Sequence, residues 1–261
     1  DVPPGRVDTG AVAAGTFRPE RGSVLSGAGT TSGAAGADTQ GADGAVLTGI
    51  RAGATGTEFA APGTAIQGQY GTLTVDAQGN YSYVRGAGTP GGVSDVFTYR
   101  LTDGDGDAST ATLTIAIADS STAITSILAE NIVEEAQLGP RGGETSGSAF
   151  DGDAETTTGT MGFTARDGVS SVTINGVAVT PGSLPQQIAT DATGTLTINA
   201  YTYDPATGSG TIVYTYTLTD NTLSANGTTV PFALVVTDSD GDSSSGTLNV
   251  RIVDDVPTAG N

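Results

Sequence analysis

The chain has 261 residues and a formal net charge of −19 at pH 7, because 28 acidic residues outnumber nine basic ones. It contains no histidine and no cysteine, which excludes zinc sites, thiol nucleophiles and imidazole general bases. The acidic balance disfavours nucleic acid as a partner, and no apolar run is long enough for direct membrane insertion. Hydrophobic residues make up 36% of the chain and 40 residues are glycine, so we expect thin cores that need a further source of stability.

The two ends of the chain carry the same short sequence. Asp1-Val2-Pro3 opens the chain, and Asp255-Val256-Pro257 recurs close to its end. No charged and apolar leader precedes the first residues, so we expect no signal peptide and interpret the chain as a fragment of a longer protein with further copies of the unit. We expect a monomer whose partners are neighbouring repeats of the same chain.

Two short β-hairpins are predicted from alternating apolar residues on either side of a turn. The first joins residues 71–75 to residues 81–83. The second joins residues 172–174 to residues 177–179 through Asn175-Gly176, a pair that is typical of a type I′ turn. No segment shows the 3.6-residue period of a helix over helical length, which favours an all-β chain.

The strongest pattern is an internal repeat, in which residues 96–119 align without gaps on residues 231–254. In both copies apolar residues alternate with polar ones before and after an acidic turn, which predicts a β-hairpin with one buried face. Many short strands separated by turns, in two successive sets, predict two β-sandwich modules. We place the modules at residues 1–122 and residues 123–261.

An acidic turn closes each of these two hairpins. The carboxylates stand on alternate residues: Asp103, Asp105 and Asp107 in the first turn, and Asp238, Asp240 and Asp242 in the second. Ca²⁺ takes about six to eight oxygen ligands, and carboxylates on alternate residues of a curved turn can converge on one ion. A strongly acidic chain also needs cations to offset charge repulsion. We therefore predict a calcium site at each turn; the alternative is a solvated hairpin turn built from Asp and Gly.

Longer stretches around these turns resemble repeats of large bacterial surface proteins. The strings GQYGTLTVDAQGNYSYV and VFTYRLTDGDGDASTATLTI are similar to the VCBS-type repeat. The strings GTLTINAYTYDPATGSGTIVYTYTLTDN and FALVVTDSDGDSSSGTLNVRIVDDVPTA resemble extender repeats of RTX-type biofilm adhesins. This resemblance implies two tandem Ig-like (cadherin-like) β-sandwich modules arranged end to end, with calcium at the module junctions. It also implies type I secretion and a location on the bacterial cell surface.

Further acidic residues are candidate calcium ligands near the expected ends of the modules: Asp119, Glu134, Glu135, Asp151, Asp153, Asp254 and Asp255. Asp151 and Asp153 form either a second ligand loop or a surface turn. In an Ig-like sandwich the last hairpin turn lies at the end where the chain enters the module. We therefore expect the second acidic turn to face the first module near Asp119, with Glu134, Glu135 and the 151–153 segment beside it. Asp254 and Asp255 should point toward a following module.

Three functions are compatible with these features. The first is a calcium-stabilised spacer, or extender, that projects the distal binding domains of an adhesin in adhesion or biofilm formation, and the repetition and the proline joints support it. The second is a calcium-dependent carbohydrate- or ligand-binding module, which needs an exposed aromatic platform beside the metal. The third is a hydrolase with a carboxylate pair, which ranks last because carboxylates clustered this closely usually hold metal. We predict the spacer function and no enzymatic activity.

Overall fold

The structure is a computed structural model that describes residues 2–40, 44–128, 131–140, 146–149, 155–190, 193–222 and 227–255. The chain divides into two compact units, Asp1–Ser120 and Ser121–Asn261. Regular structure in the described residues consists of strands and three short 3₁₀ helices: Gly33–Ala35, Glu135–Gln137 and Pro181–Ser183. None of these helices is long and apolar enough to cross a membrane. The predicted all-β fold class is confirmed.

The described residues of the first unit form eight strands: β1 (Asp8–Val12), β2 (Glu20–Ser23), β3 (Ala45–Ala52), β4 (Ile66–Gln67), β5 (Gly71–Val75), β6 (Asn80–Arg85), β7 (Val93–Asp103) and β8 (Ala108–Ile117). One sheet has the order β1-β8-β7-β3, and the other has the order β2-β6-β5-β4. The strands pair antiparallel, except that β1 runs parallel to β8. The predicted hairpin at residues 71–83 is confirmed as the pair β5 and β6.

The core of the first unit lies between its two sheets. Phe97 and Leu113 come from one sheet and are completely buried, as are Leu73 and Tyr83 from the facing sheet. The rings of Tyr83 and Phe97 meet edge to face, with their centroids 6.1 Å apart. Full burial of a large apolar side chain contributes about 1.5–3 kcal/mol to stability, so the alternating strands hold the unit together as a β-sandwich.

In the second unit, the part of the chain that the structure describes contains ten strands: β9 (Ala123–Leu128), β10 (Ile132–Glu134), β11 (Thr156–Thr164), β12 (Val169–Ile174), β13 (Val177–Ala178), β14 (Gln186–Thr190), β15 (Gly194–Asp204), β16 (Ser209–Leu218), β17 (Thr228–Asp238) and β18 (Ser243–Val253). The sheets have the orders β10-β18-β17-β12-β13 and β14-β15-β16-β11-β9. If β9 and β13 are set aside, the remaining eight strands repeat the topology of the first unit, including a parallel pair of β10 with β18.

The internal repeat corresponds to the last hairpin of each unit, β7–β8 and β17–β18, as predicted. The type I′ turn is confirmed as well, since Asn175 and Gly176 have φ angles of 49° and 79°. In the second unit, Leu248 on β18 and Tyr216 on β16 are completely buried members of one core that both sheets share. The second unit is therefore also a β-sandwich.

Candidate metal centre

The two acidic turns share a closing backbone hydrogen bond and a glycine with a positive φ angle. In the first turn (residues 103–107), the Asp103 N–H donates to the Asp107 carbonyl oxygen at 3.1 Å. In the second turn (residues 238–242), the Asp238 N–H donates to the Asp242 carbonyl oxygen at 3.0 Å. A glycine stands between the second and third aspartates of each turn. The φ angle of Gly106 is +97° and that of Gly241 is +109°. Only glycine adopts this region without strain, which explains why each turn carries Gly at this position.

Each turn brings its three carboxylates within reach of a single ion. One oxygen from each of the three aspartates lies within 4.8 Å of the oxygens from the other two, in both turns. Oxygens bound to the same Ca²⁺ ion lie at about 2.3–2.6 Å from it, so they can be separated by at most about 5 Å. The spacing that the sequence predicted therefore produces a donor set of suitable chemistry and dimensions.

The leading aspartate of the first turn is satisfied by the backbone of the turn. Asp103 Oδ1 accepts hydrogen bonds from the Gly106 N–H at 3.1 Å and from the Asp107 N–H at 2.8 Å. Asp103 is half-buried, while Asp105 and Asp107 are exposed. In this turn the donor set fits a cation, but the hydrogen bonds also fit an ordinary hairpin turn capped by Asp.

The leading aspartate of the second turn is in a different environment. Asp238 is only 1% exposed, and its Oδ1 accepts a hydrogen bond from the Gly241 N–H at 3.1 Å. Its Oδ2 is buried and has no hydrogen-bond partner among the residues that the structure describes. Burial, and then the neighbouring Asp240, raise the pKa of Asp238 to about 7. A buried carboxylate oxygen without a partner is costly, and a cation held between Asp238, Asp240 and Asp242 would satisfy it.

A further carboxylate of the second unit comes close to this turn. Asp167 is completely buried, and one of its oxygens lies within 4.8 Å of an Asp240 oxygen. It precedes β12, whose first residue, Val169, pairs with Asp238. The local sequence around Asp167 has the pattern of a turn and does not indicate that sheet pairing brings this residue beside a distant hairpin.

Both acidic turns lie beside the residues where the chain enters the unit. In the second unit, the Ser244 hydroxyl just after the turn donates to the Thr122 carbonyl oxygen at 2.7 Å. In the first unit, the Ser109 hydroxyl donates to the Pro3 carbonyl oxygen. Each turn therefore occupies the end of its own unit that the Ig-like topology predicted.

Glu134 and Glu135 lie at the opposite end of the second unit, so their predicted grouping with the second acidic turn is wrong. The reason is the parallel register of β10, in which Glu134 pairs with Val253 at the end of β18. The second acidic turn precedes the start of β18, about 33 Å away for a strand of this length. Glu135 is buried, and its Oε1 accepts a hydrogen bond from the Thr222 N–H at 2.5 Å.

A polar groove of about 200 Å³ at this far end collects other predicted ligands. Glu135, Asp254 and Asp255 line it together with Thr222. Asp255 accepts a hydrogen bond from the Ser148 N–H at 2.8 Å. The groove therefore holds a second set of oxygen donors in the second unit, separate from the acidic turn.

The other predicted ligands are Asp119, Asp151 and Asp153. Asp119 is exposed and follows β8 at the end of the first unit, so its role beside the second acidic turn stays a prediction. Asp151 and Asp153 lie outside the described residues, as does Asp1.

Three solved structures that match the chain illustrate its similarity to cadherins and to a glycan-binding protein. Drosophila N-cadherin EC1-4 is 11% identical, with 95% of this chain and 47% of that chain covered and a TM-score of 0.31. Zebrafish RET cadherin-like domains 1 to 4 are 11% identical, with 96% of this chain and 47% of that chain covered and a TM-score of 0.28. The Bacteroides ovatus mixed-linkage glucan utilization protein SGBP-B, in complex with a mixed-linkage heptasaccharide, is 12% identical, with 97% of this chain and 48% of that chain covered and a TM-score of 0.25. The chain spans about half the length of these structures. TM-scores this low carry no argument about function.

Sequence comparison gives one family match, and it covers the first unit. No curated protein matches the chain. Residues 5–119 match the family of the bacterial cadherin-like domain. Together with the β-sandwich described above, this match supports a cadherin-like, Ig-type repeat in the first unit.

Proposed function

We propose that this chain is a calcium-stabilised spacer segment of a large bacterial cell-surface adhesin, in which successive Ig-like modules project distal binding domains. The match of residues 5–119 to a bacterial cadherin-like domain supports an extracellular adhesion role. The repeated strand topology of the two units supports a chain built from tandem modules. Secretion by a type I system and participation in biofilm formation belong to the proposal through the resemblance to RTX-type extender repeats.

The observation that carries the calcium part of the proposal is the buried Asp238 carboxylate. Its Oδ2 has no hydrogen-bond partner in the described chain. One oxygen of the same carboxylate lies within 4.8 Å of carboxylate oxygens from Asp240 and Asp242. Ca²⁺ would supply the missing positive charge and take these carboxylates as ligands. Asp167 is a further ligand candidate because of its distance to Asp240.

A role for the metal in stiffness follows from where the turns lie. Each acidic turn is beside the residues that lead the chain into its unit, so an ion there would fix the position of that segment relative to the sandwich. Ions between neighbouring repeats would act in the same way. Asp119 and the groove of Asp254 and Asp255 would then be the surfaces that meet an adjoining module. In that arrangement calcium would restrict bending at each joint.

The spacer proposal is tested by small-angle scattering of the whole chain in millimolar calcium and in EDTA, with the Asp240→Ala variant as a third sample. We expect an extended and stiff particle in calcium, a more flexible one in EDTA, and an EDTA-like profile for the variant in both conditions. A compact particle in calcium, or profiles that do not respond to the metal, would contradict the spacer role.

One observation favours a second candidate, a carbohydrate-binding module. Tyr201 and Tyr203 are half-buried and line a groove of about 270 Å³ together with Ser170 and Ser171. Both rings stack on Phe163, with centroid distances of 6.2 and 6.3 Å. Aromatic rings beside hydroxyl groups are typical of ligand grooves with apolar and polar contacts. A glycan array probed in calcium would favour this function if a defined glycan bound and the Tyr201→Ala variant lost it.

A further inference from the structure

Two acidic side chains lie in the interior of the first unit, away from its acidic turn. Asp8 on β1 is completely buried, and Asp38, after the first 3₁₀ helix, is 9% exposed. The hydroxyl oxygen of Tyr99 on β7 lies 2.8 Å from Asp8 Oδ2 and 3.1 Å from Asp38 Oδ2. The same oxygen is 2.7 Å from the Arg6 carbonyl oxygen.

These distances cannot all be hydrogen bonds if both carboxyl groups are ionised. The tyrosine hydroxyl has one hydrogen to donate, whereas an ionised carboxylate and a carbonyl oxygen only accept. With both carboxylates charged, two of the three contacts would place oxygen against oxygen without a hydrogen, in a buried site where that is costly. One proton on either carboxyl group reduces this conflict from two contacts without a hydrogen to one, because a protonated carboxyl donates to the Tyr99 oxygen.

The surroundings place this proton on Asp8 and leave the charge on Asp38. Burial raises the pKa of Asp38 above its ordinary value, but the Arg6 backbone N–H, which donates to Asp38 Oδ1 at 2.5 Å, and the positive charge of Arg6 both favour ionised Asp38. Asp8 has the Ser32 hydroxyl at 3.2 Å from its Oδ1 and is more deeply buried. Burial first, and the charge of Asp38 in addition, raise the pKa of Asp8 to about 6, although hydrogen bonds from Tyr99 and Ser32 oppose the shift.

Other ionisable groups around the pair also have raised pKa values. Glu20 on β2 has its pKa raised by burial. Tyr81 on β6 has its pKa raised by burial and by the charges of Glu20 and Asp8, so it stays protonated near neutral pH. Burial and the charges of both aspartates raise the pKa of Tyr99 as well. The site therefore combines three acidic groups and two neutral phenols with the positive charge of Arg6.

We propose that Asp8 and Asp38 share one proton through the Tyr99 hydroxyl, which makes the folded first unit a proton-binding module stabilised by mild acid. The folded unit holds this proton up to about pH 6, whereas an unfolded chain releases it near pH 4. Stability from this site is therefore full below about pH 4 and is lost as the pH rises toward 6. Calcium ligands have the opposite effect on stability as the pH falls, because they bind metal more weakly when they become protonated. The first unit would thus gain stability under acidic conditions that remove metal from its turn.

The direct test is a carbon-13 carboxyl titration of the folded full-length chain by NMR, with EDTA present to remove any metal. We expect Asp8 to titrate near pH 6 and the Asp38 signal to respond to the same event. Asp95 is the internal control, because Tyr83 and two backbone N–H groups satisfy its buried carboxylate. The proposal is overturned if Asp8 and Asp38 titrate independently near pH 4.

A second measurement follows unfolding of the full-length chain by urea in EDTA between pH 4 and pH 7, with hydrogen exchange of β7 and β8 as the readout for the first unit. A shift of about two pKa units corresponds to a change of about 100-fold in the unfolding equilibrium constant of the first unit. We expect Asp8→Asn to remove the part of the first unit's pH dependence that comes from Asp8, about 100-fold in the unfolding equilibrium constant, and Tyr99→Phe to weaken the dependence. An unchanged pH dependence in Asp8→Asn would contradict the proposal, and if that variant does not fold, the titration of the unaltered chain decides. EDTA keeps this result independent of whether the acidic turns bind calcium.

Discussion

Replacing Asp238 by Asn should have opposite effects on stability with and without calcium. The carboxylate is 1% exposed and its Oδ2 has no hydrogen-bond partner in the described part of the chain. In the metal-free protein the buried charge of Asp238 destabilises the folded second unit. Asn removes this charge and keeps an oxygen that accepts the hydrogen bond from the Gly241 N–H. In calcium the same change removes a ligand. The second unit should therefore become more stable in EDTA and lose its response to calcium.

The size of each effect can be worked from the site. A pKa raised from 3.8 to about 7 corresponds to at most about 4 kcal/mol of unfavourable free energy for the charged form above pH 7. The neighbouring Asp240 is exposed, so solvent screens part of this, and we expect a gain of about 1–2 kcal/mol for Asp238→Asn in EDTA at pH 8. In calcium at 100 times its Kd, the unaltered protein gains about 2.7 kcal/mol per site, which the variant should lack.

The pH dependence of the metal-free second unit provides an independent check. Because the folded-state pKa of Asp238 is raised, its contribution to stability is full below about pH 4 and is lost as the pH rises to about 7. When calcium is present, stability should instead increase as the pH rises, since deprotonation of Asp238 creates a ligand for the ion.

The assay is urea unfolding with hydrogen exchange of β17 and β18 as the readout for the second unit. Asp204→Asn is the matched control, because this exposed turn aspartate accepts hydrogen bonds from Ala206 and Thr207 and belongs to neither acidic turn. The control should keep the full calcium response. If Asp238→Asn destabilised the metal-free protein, or kept the calcium response, the reasoning about the buried carboxylate would be refuted.

Three further substitutions test the packing. Gly241→Ala should cost about 1–2 kcal/mol in chemical unfolding, from its φ of +109° alone, since no atom lies within 4 Å of an added Cβ. Gly210→Ala should cost about 1–3 kcal/mol or more by overpacking, because an added Cβ would lie 2.0 Å from the Phe163 ring. Tyr214→Phe should lower the melting temperature by removing the buried hydrogen bond to Asn131, at a cost of about 1–3 kcal/mol. A loss below 0.5 kcal/mol in any of these would contradict the packing described.

The strands and the acidic turns could be predicted from the sequence because each depends on local pattern. Alternation at Phe97, Tyr99 and Leu101 gives the buried face of β7 directly. Gly at residues 106 and 241 marks the positive φ angle that the turns require. These signals act over a few residues, and the repeat supplies them twice.

The contributions of Glu135, Asp167, Asp8 and Asp38 could not be predicted in this way. The register of β10 along β18 decides that Glu135 lies far from the second acidic turn, and sequence alternation does not specify which end of a long strand a short one pairs with. Asp167 approaches Asp240 through sheet pairing between β12 and β17. Asp8 occupies an inward position of β1 where a pattern-based prediction would expect an apolar residue, and its contacts with Tyr99 and Ser32, which are distant in the sequence, explain it.

The most direct test of the central claim is a calcium titration of the full-length chain followed by the NMR signals of the Gly106 and Gly241 amides. Both N–H groups donate to the leading aspartate of their turn, so they report on an ion bound there. If calcium stabilises these modules, both signals should shift saturably, with Kd values of about 10⁻⁴–10⁻³ M, the range typical of extracellular calcium-binding modules. If the Gly241 signal does not move at 10 mM calcium, on the order of ten times the weakest of these Kd values, the second acidic turn is an ordinary hairpin turn and the calcium proposal is wrong.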